Sequence, residues 1–269
     1  MRFLRQRNGK ESALKLSDRG IRHISKRKRA IIISAVSVVV ILAVCFVGCG
    51  IYLGDFYRAD SEAIAAYMDG KEMPREYDDG SIRTEPDGAK VGFIFYPGGK
   101  VEHTAYVPLM QALAEEGILT VTVKMPFKLA VLDVNAADGI REEYPEIEKW
   151  YIGGHSLGGS MAASYLAKNY EGFEGIILLG SYSTAKLADL PITAISIYGS
   201  EDGVLNREKY AECKANLPSG YTEIVLEGGS HAYFGAYGEQ NGDGIAKISR
   251  EEQIAKTAEA ISKHVFSYE

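Results

Sequence analysis

Cysteine is scarce in this chain: three in 269 residues, two of them, Cys45 and Cys49, inside one apolar run. Outside that run only Cys213 remains, so the rest of the chain closes no internal disulfide and must be held by its core alone. Cys213 lies in a helical-looking stretch, Lys209 to Asn216, and is read as structural rather than as a nucleophile. No His or Cys pair has zinc-site spacing, and no phosphate-binding glycine loop is present. Asn241 and Asp243 sit among glycines, but their oxygens are too few for a calcium loop, so a tight turn is expected there. The sequence therefore calls for no metal and no cofactor. Internal repeats and low-complexity tracts are also missing, whereas 46 % hydrophobic and 10 % aromatic content excludes a disordered chain.

The net charge of −6 is unevenly spread. Residues 1–29 hold eleven Lys and Arg against Glu11 and Asp18, giving +9 and leaving −15 on the remaining 240. So acidic a body excludes nucleic acid as a partner, because phosphate contacts need a basic surface. Between the two lies Ala30 to Leu53, 24 residues without a charge. At about 1.5 Å per residue, a helix of that length crosses a hydrocarbon core of roughly 30 Å. Lys26 to Arg29 precede it and Asp55, Asp60 and Glu62 follow. Positive flanks stay inside, so the expected order is a basic cytoplasmic head (1–29), a single-pass signal-anchor helix (30–53) and an extracellular domain (54–269). Two alternatives stay open: a cleaved signal peptide, whose apolar region is normally shorter, and lipidation of Cys49, since Phe46-Val47-Gly48-Cys49 weakly matches a lipobox.

Downstream, short apolar β-prone runs alternate with helical segments. Strands are expected at Val91–Tyr96, Ile118–Val123, Trp150–Gly153, Gly175–Leu179, Ile192–Tyr198 and Thr222–Leu226. Helices are expected at Arg58–Asp69, Ala105–Glu116, Leu129–Tyr144, Met161–Asn169, Arg207–Ala215 and Glu251–Val265. Such alternation implies an α/β fold with a mostly parallel sheet covered on both faces. The gaps are short, leaving a minimal core without a large inserted lid.

The sharpest signal is Gly154-His155-Ser156-Leu157-Gly158-Gly159, between a predicted strand and a predicted helix. By itself G-x-S-x-G also describes a loop of small residues. In strand–turn–helix context it is a nucleophile elbow, in which the serine sits on a strained turn and glycines clear the space around it. A serine nucleophile needs a base. Of five histidines, His23 lies in the head, His155 inside the elbow with its side chain pointing away, and His264 on the last helix. His103 precedes the serine and reads as a helix-start or pocket residue. His231 follows the last strand and alone fits the chain order serine, acid, histidine. For the orienting carboxylate, the turn after Ile192–Tyr198 offers Asp202, with Glu201 as near rival and Asp189 as a distant one. An oxyanion hole would combine the N–H of Leu157 with that of Gly99, Gly98 clearing space beside it.

Together these residues resemble the α/β-hydrolase superfamily, and more closely its bacterial α/β hydrolase fold-5 branch, related to dienelactone hydrolase-like proteins. The similarity spans about residues 58–268 and is carried by Tyr96-Pro97-Gly98-Gly99, the elbow, Tyr198 to Gly203, and Gly229 to Gly235. It implies an α/β-hydrolase fold, a triad of Ser156, Asp202 and His231, and an esterase-like reaction on a small-molecule acyl substrate. Pro97 stands where many members place histidine, and Ser156 replaces the cysteine of dienelactone hydrolases themselves. Lys100, His103, Tyr233 and Phe234 are the expected pocket residues. Acyl transfer and a catalytically inactive binding or scaffold role stay open as alternatives.

Overall fold

Six of the eight strands pair in parallel, and their C-terminal ends lie along one edge of the sheet. The computed structural model describes residues 25–267. By chain contacts it divides into Met1–Gly54 and Asp55–Glu269. In the first unit, helix α1 (Lys26–Gly54) exposes its Val, Ile and Leu side chains all round and is a candidate membrane span.

The second unit holds the strands β1 (Arg75–Glu76), β2 (Ile82–Thr84), β3 (Val91–Tyr96), β4 (Ile118–Thr122), β5 (Lys149–His155), β6 (Gly175–Leu179), β7 (Thr193–Gly199) and β8 (Thr222–Leu226). They pair in the order β1-β2-β4-β3-β5-β6-β7-β8, with β1/β2 and β2/β4 antiparallel and all other pairs parallel. The helices of this unit are α2 (Ser61–Tyr67), α3 (Val107–Glu115), α4 (Leu157–Leu166), α5 (Arg207–Cys213) and α6 (Arg250–Phe266).

β3 shows why the sheet is buried on both sides. All six of its residues are buried, and its side chains alternate between two cores. Val91, Phe93 and Phe95 join Leu109, Leu113, Ile254 and Ile261 from α3 and α6. Ile94 and Tyr96 join Ala162, Ala163 and Leu166 from α4. A period-two run that is apolar on both faces suits a central parallel strand.

Most sequence expectations match to within a few residues. α4 begins at Leu157, four residues before the predicted start. The helix expected over Leu129–Tyr144 is absent: the stretch forms short 3-10 turns at Ala130–Leu132 and Arg141–Glu143. Asp133 leaves helical geometry at φ −149°, ψ 73°, and Gly139 takes the left-handed conformation at φ 81°, so apolar spacing there did not translate into a continuous helix. Truncating Phe93, fully buried in the α3–α6 core, should destabilise the fold by about 3–5 kcal/mol. Denaturant unfolding of Phe93→Ala against the parent checks this.

Candidate active site

Ser156 occupies the turn between β5 and α4 with φ 52° and ψ −124°, a conformation that non-glycine residues rarely adopt. The turn is held from both sides, since Ser156 N–H donates to the Leu179 carbonyl (2.9 Å) and Ser181 Oγ donates to the Ser156 carbonyl (2.6 Å). The flanking glycines are required by close approach of β3. A Cβ at Gly154 would lie 2.3 Å from the Tyr96 carbonyl oxygen, and one at Gly158 would lie 2.1 Å from it and 2.3 Å from that of Pro97.

At the neighbouring strand ends the structure brings together the other two predicted residues. His231 Nδ1 lies 2.8 Å from Asp202 Oδ2, and both side chains are buried. Asp202 Oδ1 accepts the N–H groups of Val204 (3.0 Å) and Leu205 (2.8 Å), so its orientation is determined at both oxygens. The rival Glu201 points elsewhere and pairs with Lys247 at 2.7 Å, which holds its carboxyl below the usual range. His231 Nε2 is buried and makes no hydrogen bond. It lines, with Ser156, a cavity of about 250 Å³ whose other walls include Leu157, Ser160, Tyr182 and Asn206. Ser156 and His231 thus face one cavity, with no hydrogen bond between the hydroxyl and the imidazole among the described residues.

Of the glycines expected at an oxyanion hole, Gly98 has its N–H committed to Tyr106 Oη at 3.0 Å and cannot donate to a substrate. Gly99 lies against the elbow, since a Cβ there would meet the Leu157 side chain at 2.9 Å. Its N–H has no partner among the described residues, and the Leu157 N–H, first in α4, lacks an intrahelical one.

The four expected pocket residues lie in different surroundings. Phe234 is wholly buried and packs on the His155 ring at 5.4 Å; it belongs to the α3–α6 core, not to a cavity wall. Tyr233 lies under the Arg250 guanidinium. Lys100 pairs with Asp55 at 2.9 Å. His103 Nε2–H donates to the Gly80 carbonyl (3.0 Å). It lines a second cavity, of about 480 Å³, with Pro97, Lys124 and Phe127.

Three residues make contacts that the sequence did not foretell. Gly180, at φ 51°, ends β6 where a Cβ would crowd His231 Nδ1 (2.9 Å) and Asp202 Oδ2 (3.2 Å). Asp243 accepts from the N–H groups of His231 (3.2 Å), Ala232 (2.8 Å) and Gly203 (3.1 Å), tying the histidine loop to the acid turn. This is the tight turn expected near Asn241, and no metal-ligand cluster occurs among the described residues. Tyr106 Oη accepts from the Gly98 N–H (3.0 Å) and is hydrogen-bonded to His155 Nδ1 at 2.8 Å. A glycine turn signal was the only trace of Gly180, the turn at Asp243 gave no hint of the amides it gathers, and nothing in the local sequence distinguished Tyr106.

The alpha/beta hydrolase family model matches residues 92–255, more than half of the chain and the segment that carries all of these features. The chain belongs to this family. No curated protein matches it. Among solved structures it is similar to dienelactone hydrolase from Anabaena variabilis (16 % identity, TM-score 0.50, covering 71 % of this chain and 97 % of that one). It is similar too to Est1E from Butyrivibrio proteoclasticus, solved with ferulic acid bound (13 %, 0.51, 71 % and 98 %). A third is the monoacylglycerol lipase of Paleococcus ferrophilus (12 %, 0.53, 68 % and 98 %). At these identities the likeness is one of fold.

Burial, reinforced by the neighbouring His231 ring 4.3 Å away, holds His155 well below the usual histidine range. A depressed folded value means that the unfolded chain binds the extra proton, so this stability is present above about pH 6.5 and is lost as pH falls below it. Denaturant midpoints should drop between pH 8 and pH 5.5, and His155→Gln should show a shallower drop.

Proposed function

We propose that this chain is a membrane-anchored serine hydrolase of esterase type, with Ser156 as nucleophile, His231 as general base and Asp202 as the carboxylate that orients it. The observation that carries this reading is the buried His231–Asp202 pair, whose remaining imidazole nitrogen is unsatisfied in the same cavity as a serine on a strained turn. With Nδ1–H donated to Asp202, Nε2 is left with a lone pair to accept the serine proton. Ser156 Oγ then attacks the carbonyl carbon of an acyl compound and its proton passes to Nε2. The carbonyl oxygen becomes an oxyanion facing the N–H groups of Leu157 and Gly99 at the positive end of α4. His231 gives the proton to the departing alkoxide, leaving an acyl-serine. Water, deprotonated by the same nitrogen, releases the acid and restores the hydroxyl.

Helix α1 supports the location assigned to this chemistry. Its exposed apolar surface suits lipid rather than water, and the basic residues before it keep the N-terminus inside, so the catalytic body lies outside the cytoplasm. Structures named as an esterase domain, a lipase and a dienelactone hydrolase support the same reaction class.

Ser156→Ala should lower turnover of a p-nitrophenyl ester by roughly 10³ or more, as removal of such nucleophiles does, and should abolish labelling by a fluorophosphonate probe. Undiminished turnover or labelling in that variant would refute the assignment.

A further inference from the structure

Most large apolar side chains of the Asp55–Glu269 unit are buried, but the segment following β4 breaks that pattern. Phe127, Val131 and Leu132 are 61 %, 54 % and 55 % exposed within six residues of one another. The segment is built to hold them out. Phe127 and Lys128 both take positive φ (50° and 58°), a strained pairing for non-glycine residues. Between the exposed residues Ala130 is fully buried and anchors the stretch.

Cations accompany these apolar groups. The Lys128 ammonium sits 3.6 Å from the centroid of the Phe56 ring, and the Arg58 guanidinium 4.6 Å from the same ring. Neither forms an ion pair among the described residues, although the chain beyond residue 29 carries −15. Phe56 and Arg58 belong to the first residues of the unit, directly downstream of the apolar helix. Backbone bonds draw these parts together: Tyr57 N–H to Lys100 O (2.7 Å), Glu102 N–H to Tyr57 O (3.0 Å) and Lys100 N–H to Lys128 O (2.7 Å). Lys100 immediately follows Gly98 and Gly99, so the backbone of this segment is tied to the loop that packs against the elbow.

Exposed aromatic and aliphatic groups beside cations that form no ion pair complement an anionic lipid surface, where each cation is worth roughly a fivefold gain in affinity. We propose that the Phe127–Leu132 face, with Lys128 and Arg58, seats on an anionic phospholipid surface and draws its acyl substrate from amphiphiles held in that bilayer. The inference rests on the reading of the chain as a membrane-anchored hydrolase.

The test uses the full chain reconstituted in vesicles of phosphatidylcholine, with and without phosphatidylglycerol. Amide exchange over residues 126–132 should slow several-fold in the anionic vesicles only, and Lys128→Glu should remove that protection. The double variant Val131→Ser/Leu132→Ser should also lose it. Its turnover of a soluble p-nitrophenyl ester should be unchanged, and that of a vesicle-embedded ester should fall about tenfold. Ser156→Ala should keep the protection while losing both activities. Equal exchange in the two vesicle types, in a chain that floats with them, would overturn the docking face and leave the hydrolase reading intact. Full activity of Ser156→Ala would overturn that reading without touching the protection. A chain that does not float with vesicles would overturn both.

Discussion

Two carbonyl oxygens at the end of β3, those of Tyr96 and Pro97, approach the elbow so closely that only glycine fits opposite them at positions 154 and 158. This contact sets the architecture around Ser156. It presses the loop Pro97–Lys100 against the first turn of α4, puts Gly99 on Leu157, and leaves Ser156 no ordinary backbone conformation. Parallel pairing of β3 with β5, which aligns Tyr96 with Gly154, enforces it. Strain at a single residue is tolerable here because a fully buried strand pair on both sides over-determines the turn.

The same logic of strand ends extends across the sheet. β6 stops at a left-handed glycine, Gly180, and the space that a side chain would fill there is taken by the imidazole and carboxylate of His231 and Asp202. Their loops are secured by polar clamps rather than by apolar packing. Gln253 on α6 holds both backbone groups of Ser230 (2.9 and 2.8 Å), and Asp243 gathers three amides from the two loops. A buried charge such as Asp202 is affordable only with its acceptors filled, and both its oxygens are. The proposed chemistry and the stability of these loops therefore depend on the same hydrogen bonds.

His155 shows how a neighbour of the elbow serves the site from behind. The sequence reading turned its side chain away from the serine, and in the structure its ring lies in the core between Tyr106, Phe234 and His231. Through Tyr106 it reaches the Gly98 N–H, linking the glycine loop to the wall behind His231. Held neutral by burial, it adds no charge beside the proposed base.

The amino-acid pattern alone was enough for the alternation of strands and helices, the apolar helix, the strand–turn–helix around Ser156 and the two residues, Asp202 and His231, that the structure pairs, because each is a local signal: a period, a run, or a turn residue at a strand end. It did not suffice for Leu129–Tyr144, where helical spacing met a chain that turns at Asp133 and Gly139. It did not foretell the surroundings of Tyr233 and Phe234 either: Phe234 is fully buried in the core, and Tyr233 is half-buried against it. Tertiary structure decided that Gly98 is committed to Tyr106, that Asp243 ties two loops together, and that Phe127 stands in solvent. Each of these depends on which distant segments meet, and that is settled by packing and strand order, which no local pattern encodes.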